Sequence, residues 1–381
     1  MDASFLAQIA LLLQQAFFIL LGFFGMGFLI GFHELGHFLF AKFFNVRVPS
    51  FSLGFGPRLL TKKIGETDFS LSAIPFGGYV EIAGSDEVGQ GEQKDAHATD
   101  ERSFANKPYY QKLLIMLGGI FFNLMSAYFI MIVLFMTGIP QTPLIQTPII
   151  SVVHQESAAE SNGLQVGDRI ISINEEDVAY NAQRIQQIIH PLALKEAMIV
   201  IERDGQKLTK TILVGGKETE NGTIGLLGVE FTSVSTPPHS CIAAFVLGIA
   251  ACNRWIRDTF VGFKLLFSRA GVKKIGGPIM IIAMTVQSAA KGWQIFLLLL
   301  ALISINLAVL NLIPLPILDG GQILFATIEA IIRRPIPDKV REYIAIGTWL
   351  MFIVLFIYLS INDISRLASP YIGSFSKLFG R

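Results

Sequence analysis

His33, Glu34 and His37 lie inside an apolar run, Gly27–Phe44, that reads GFLIGFHELGHFLFAKFF. Residues four apart share one helix face, so the two imidazoles can grip a single metal ion. Glu34 stands beside them, placed to take a proton from an activated water. Ionisable side chains in a stretch of lipid length are costly enough to signal function. A lone histidine on an apolar helix is more often a hydrogen-bonded packing residue. Two histidines with a glutamate between them favour zinc over that reading.

A metal held by two histidines needs a third protein ligand and a position left open for water if it is to be catalytic. The candidate is Asp319, in Asn311-Leu-Ile-Pro314-Leu-Pro316-Ile-Leu-Asp319-Gly320-Gly321, where an acidic group again interrupts an apolar run. Its plainer reading is turn chemistry, since Asp-Gly-Gly suits a tight turn. Glu329 is the reserve ligand, although its neighbourhood of arginines favours an ion pair. His97, His154, His190 and His239 sit in polar stretches and are poor ligand candidates. Pro314 and Pro316 break the helix there, and irregular backbone at membrane depth needs protein or a wet cavity to shield it.

The elements that must position these groups are membrane spans. The chain has 381 residues, 52% hydrophobic and 15% charged, which points to a polytopic α-helical membrane protein. A net charge of +1 carries no electrostatic signal for nucleic acid. Four stretches reach the roughly 20 residues that a crossing takes: one within Phe5–Phe44, then about 113–139, 293–318 and 344–361. The first lacks a basic n-region and a small-residue cleavage site, so it is expected to stay as a span. Cys241 and Cys252 show no metal or disulfide spacing and are expected to be buried thiols.

Lys42, Arg47, Lys107 and Lys112 bracket one inner loop, and Arg333, Arg334, Lys339 and Arg341 fill another. The positive-inside rule then places the N-terminus, the residues between the second and third spans, and the C-terminus outside. Spans one and three run the same way under that topology. Groups near their C-terminal ends share a depth, which brings Asp319 to the histidines.

Four domains follow. Residues 1–141 form an N-terminal membrane half, and 142–236 a β-rich extracytoplasmic domain marked by PIISVV, DRIISIN, AMIVIERD and KTILV. Residues 237–291 form an amphipathic interfacial segment, with a fifth span as the alternative, and 292–381 the C-terminal membrane half. In the inner loop, 51–60 and 67–80 alternate with period two, which predicts a membrane-associated β-hairpin beside the HExxH helix. Residues 86–102 are charged and Gly-rich and read as a solvated loop. In span two, Gly118-Gly119 followed by Asn123 permits close helix contact and one interhelical hydrogen bond, or lines the pocket.

HExxH at His33–His37, Ser-Leu-Gly-Phe-Gly-Pro at Ser52–Pro57, Gly77-Gly78-Tyr79-Val80, and NxxPxPxxDGG at Asn311–Gly321 together resemble the bacterial site-2 proteases, zinc intramembrane metalloproteases of family M50. Gly163-Leu-Gln-Val-Gly-Asp-Arg-Ile-Ile-Ser-Ile-Asn174 resembles a PDZ domain of the kind that they carry. The resemblance implies one Zn²⁺ on His33, His37 and Asp319, with Glu34 as base. It implies a substrate contact at Asn311, to which the pocket-lining reading of span two adds Asn123, and a hairpin around Gly54, Gly77, Gly78 and Tyr79 that guides substrate as an added strand. Some relatives have tandem PDZ domains, and the interval here holds one. The implied partners are single-span membrane proteins already trimmed outside, such as anti-sigma factors or remnant signal peptides, the lipid bilayer, and a peptide or protein ligand of the PDZ domain. The implied location is the bacterial cytoplasmic membrane, with multiple passes. A non-proteolytic PDZ scaffold is the alternative. A metal transporter would show several ligand clusters and inverted repeats, and the sequence shows one cluster and no repeat.

Overall fold

The computed structural model describes residues 3–85, 95, 100–142, 146–178, 182–219, 222–233, 235–266 and 276–379. It divides into two compact units, one of Met1–Leu134 with Ser240–Arg381 and one of Phe135–His239. His97 and most of the Gly-rich stretch 86–102 lie outside the described residues.

The first unit begins with α1, Ala3–Phe43, a single helix of 41 residues. No proline interrupts it. Strands β1, Ser50–Ile64, and β2, Thr67–Glu81, follow. Helix α2, Tyr109–Thr137, starts directly after Pro108, where proline suits a helix entrance. Beyond the second unit come α5, Cys241–Leu266, α6, Pro278–Ala290, α7, Trp293–Asn311, α8, Asp319–Ile332, and α9, Asp338–Phe379. Among the described residues, four segments are long and apolar enough to cross a bilayer: Gln8–Phe43, Tyr109–Thr137, Trp293–Asn311 and Lys339–Ser365. They match the four expected stretches, the first within Phe5–Phe44 as expected and the last longer than 344–361.

The hairpin is more folded than alternation predicts. Ser50–Leu53 of β1 lies between two segments of β2, partnered with Asp68–Leu71 on one side and with Gly78–Glu81 on the other. The second half of β1 turns back, so that Leu60 faces Leu71 and Ile64 faces Thr67. Gly54 and Gly77, with φ of 88° and 94°, permit the bends. At Gly77 a Cβ would land on the Phe55 ring. This small sheet lies along α1. Phe51 and Phe69 pack edge-on against Phe38, and Leu53 fills the space over Gly31. Its turn is pinned to the end of the helix by Glu66, which accepts from Lys42 at 2.6 Å and from both terminal nitrogens of Arg102. Those partners, Arg102 first, pull the Glu66 carboxyl down to about 2.

Helix α5, whose charges suggest an amphipathic helix at the interface, packs against α2 and α7. The Gly248 position abuts Ile132, Asn253 accepts from the Tyr128 hydroxyl, and Thr259 donates to Asn306 at 3.0 Å. The first two contacts run in opposite residue order to α2, as in an antiparallel neighbour. Cys252 is buried as expected, whereas Cys241 is exposed at the start of α5. Asp363 of α9 is fully buried and receives the N–H groups of Gly277 and Met280, both at 2.9 Å. It caps α6, whose own N-cap residue is a glycine with no side chain to offer.

In the second unit, β10 (Val229–Ser233), β3 (Gln146–Val153), β4 (Arg169–Ile173), β6 (Glu196–Arg203) and β7 (Gln206–Leu213) form a sheet in that order, with β5 (Glu176–Asp177) on β4. A separate pair joins β8 (Gly215–Thr219) to β9 (Gly222–Leu226). Helices α3, Ala158–Ser161, and α4, Ala182–Ile189, complete a core built on Ile150, Ile170, Ile173, Ile185, Ile199 and Ile201. Asp168, 1% exposed, holds Arg203 through two bonds of 2.6 and 2.8 Å. Burial pushes its carboxyl up, but Arg203 and the Gln165 N–H outweigh that, so it titrates below the ordinary aspartate range. A depressed carboxylate stabilises the fold above its unfolded pKa and loses that contribution as pH falls through the folded one. Thermal melts of the unit, monitored by its own signal, are therefore expected to weaken below about pH 4 and to lose that acid step in Asp168→Asn. An unchanged acid profile in the variant would overturn this assignment.

Candidate metal centre

The site is assembled from the two ends of the first unit. α1 brings His33 and His37 onto one face, 9% and 4% exposed. α7 ends at Asn311, its continuation blocked by Pro314 and Pro316. The chain turns tightly through Leu315 and Leu318, and α8 restarts at Asp319. Gly320 and Gly321 make the turn compact, because a Cβ on either would meet the carbonyls of Ile313 or Leu315 within 2.4 Å. The Asp-Gly-Gly sequence is thus turn chemistry and ligand presentation at once.

Three atoms converge. Nε2 of His33 is 3.2 Å from Nε2 of His37, and the Asp319 carboxylate stands 3.3 Å from the first and 3.4 Å from the second. Zinc bonds to nitrogen and oxygen are about 2.0–2.2 Å long, so tetrahedral ligands stand about 3.3–3.5 Å apart. The observed spacings fit that ion. Oδ2 of Asp319 has no hydrogen-bond partner, and among the described residues these three alone form a metal-holding group. The Asp319 side chain is 17% exposed, which leaves one side of the triangle accessible to water.

The α2 helix closes the other side. It crosses α1 at Gly36 and Gly118, where a Cβ on Gly36 would come within 2.2 Å of the Gly118 carbonyl. That closeness lets Nδ1–H of His37 donate to the Ile115 carbonyl at 2.9 Å, and sets the Asn123 amide 3.1 Å from Nδ1 of His33. Ile115 was not legible beforehand, because a backbone acceptor has no residue signature. The spacing of Gly119 and Asn123, four apart like the histidines, was the readable trace of this contact.

Glu34 is 9% exposed and accepts from the Val80 N–H. A Cβ on Gly78 would touch its side chain at 3.5 Å. The edge of the small sheet therefore lies against the candidate base. Asn311 stands 3.2 Å from Nε2 of His33 and so faces the metal position, as expected of a group near the reacting atoms. The other sequence candidates divide. Gly78 is at the site, and Tyr79 stacks on Phe55 and receives Arg58 at 3.0 Å. Gly54 instead packs inside the bend against Ile74, and Asn123 is 1% exposed behind His33, out of reach of a substrate. Glu329 binds Arg341 at 2.6 Å and the Ile336 N–H, away from the triad, which rules it out as a ligand here. His154, His190 and His239 belong to the second unit.

Residues 21–355 match the family model described as Peptidase family M50. Proteins carrying the name "Putative zinc metalloprotease" align over nearly their whole length. One from Campylobacter jejuni is 34% identical over 351 residues, covering 90% of this chain and 92% of that protein. One from Nostoc is 30% identical over 344 residues, 88% and 93% of the two chains. A third, from Helicobacter pylori strain J99, is 34% identical over 360 residues, 90% and 97%.

Proposed function

The chain belongs to peptidase family M50 and is a zinc metalloprotease of the membrane, and on that premise we propose that it is a site-2-type protease that cuts substrates within their transmembrane segments. One observation carries the reading: His33, Glu34 and His37 lie inside the apolar span Gln8–Phe43, with Asp319 at the same depth. A protease with its metal there meets peptide bonds that are themselves in lipid.

His33, His37 and Asp319 would hold the zinc, which polarises the scissile carbonyl and acidifies water. Glu34 takes the proton of the attacking water and returns it to the leaving amine. Asn311, whose amide lies 3.2 Å from Nε2 of His33, would donate its N–H to the oxyanion. A transmembrane helix hides its carbonyls in its own hydrogen bonds, and unpaired backbone groups are costly in lipid. The segment Gly78–Glu81 is paired on one side by Ser50–Leu53 and by no strand on the other among the described residues. A substrate unwound onto that edge regains backbone bonds beside Glu34, with Gly78 leaving room for it.

In the second unit, read as a PDZ domain, β10 is an edge strand. A cavity of about 290 Å³ beside it is lined by Ile185, Ile189, Leu227, Gly228, Val229 and Phe231. That arrangement suits an extended peptide with one apolar side chain in the cavity. Leu226, exposed on the same cavity, is the probe: Leu226→Arg is expected to weaken binding of such a peptide, read by fluorescence polarisation, and to leave bound zinc unchanged; undiminished binding would remove the groove from the account. The proposed location is the bacterial cytoplasmic membrane, with the N-terminus, second unit and C-terminus outside, in keeping with the basic loops. The proposed substrates are single-span proteins already trimmed outside.

The test is cleavage by the purified protein in detergent of a single-span substrate lacking its outer domain. Cuts inside the apolar segment that cease on zinc chelation would support the proposal. Cuts confined to residues outside that segment would refute the intramembrane reading and leave an ordinary membrane-bound metalloprotease.

A further inference from the structure

We infer that Asn123 is a positioning residue that fixes which nitrogen of His33 faces the metal, accepting the Nδ1–H of His33 on its side-chain oxygen. The inference rests on the zinc reading above and extends it to α2. A neutral imidazole has one N–H and one lone pair, and the partner of one nitrogen decides the role of the other. For His37 the matter is settled by the backbone. Its Nδ1 lies 2.9 Å from the Ile115 carbonyl, which only accepts, so Nε2 keeps its lone pair.

His33 needs the same arrangement, since its Nε2 is the atom 3.3 Å from Asp319 and 3.2 Å from His37. Its Nδ1 must then carry the proton, and the group 3.1 Å away must accept it. That group is the Asn123 carboxamide: its nitrogen is the end set 3.1 Å from Nδ1 here and its buried oxygen has no partner, and a half-turn about the last side-chain bond exchanges these two ends of the same shape and opposite roles. With the nitrogen inward, Nδ1 would be the acceptor and Nε2 would bear a hydrogen aimed at the metal position. Only the oxygen-inward orientation is compatible with ligation.

The placement of Asn123 is built rather than incidental. Its backbone carbonyl accepts from Ser126 at 2.8 Å and from Ser304 of α7 at 2.9 Å, and the two hydroxyls are 2.8 Å apart. Asn123 and Ser304 are 1% and 0% exposed, so this network is closed to bulk water. α2 thus carries, at intervals of four, an acceptor for His37 at Ile115, a gap for both rings at Gly119, and an acceptor for His33 at Asn123. The same serines hold α2 in register with α7, the helix that delivers Asn311.

The test is zinc affinity of the purified full chain in detergent, by competition with a chromogenic chelator. Asn123→Leu keeps the bulk and removes the acceptor; it is expected to bind zinc about 10–100-fold more weakly. Asn123→Asp keeps the acceptor and loses the donor; it is expected to bind at least as tightly as the natural chain. Weak binding by Asn123→Asp would show that the amide acts as donor and would overturn the inference, as would undiminished binding by Asn123→Leu. Should Asn123→Leu not fold, the Asp variant alone decides between acceptor and donor. His37→Ala separates this from the premise: zinc retained there would sink the metal site itself, whatever Asn123 does.

Discussion

Glu34→Gln is expected to reduce cleavage of a single-span substrate to background while one zinc per chain remains bound. The glutamine has the shape of the glutamate and can still accept from the Val80 N–H, so α1 and the sheet edge have no reason to move. It cannot accept a proton from water. A positioned general base contributes about 10²–10⁴-fold, and the attack step has no other carboxylate to use, because Asp319 is committed to the metal. The fall should appear in kcat with KM little changed, since Glu34 acts on the water and not on substrate binding. Cleavage above about one tenth of the natural rate would remove Glu34 from its role as the base.

Gly119→Ala is expected to cost zinc binding more than 100-fold, although it adds one methyl group in a helix and would ordinarily favour helix formation. Its Cβ would lie 2.3 Å from Nε2 of His37 and 2.5 Å from Cε1 of His33. Both rings would have to swing off the positions that face Asp319, breaking the 2.9 Å bond to Ile115 and the contact with Asn123. Gly347→Ala in α9 is the control. It meets nothing within 4 Å, so zinc affinity should be unchanged. Equal affinity in both variants would mean that α1 and α2 are not as close in the membrane as these distances state.

The metal ligands were legible because their signals are cheap to read. Two histidines four apart and an acidic residue at a helix restart are local patterns, and a topology count brought the two ends together. The register of the small sheet was not legible. Alternation showed that 51–60 and 67–80 were strands, but it says nothing about one strand lying between two halves of its partner, which Gly54 and Gly77 decide. The contacts of helix α5 were not legible either: Arg254 and Arg257 raised its polarity, while the residues that dock it, Gly248, Asn253 and Thr259, looked ordinary. Their partners Tyr128 and Asn306, polar groups within apolar helices, were the signal available. Asn123 was noticed for close packing, and only the structure shows that it faces a histidine rather than a substrate.

The triad draws His33 and His37 from the first tenth of the chain and Asp319 from its last fifth, about 280 residues later. At the roughly 5–20 residues per second of protein synthesis, that gap lasts on the order of 15–60 s. Throughout it the newborn chain displays two histidines and a glutamate but no third ligand, and the second unit must emerge first. A metal site divided in this way cannot be completed on the ribosome until Asp319 has been made, so the histidines wait for their partner while the whole second unit is synthesised.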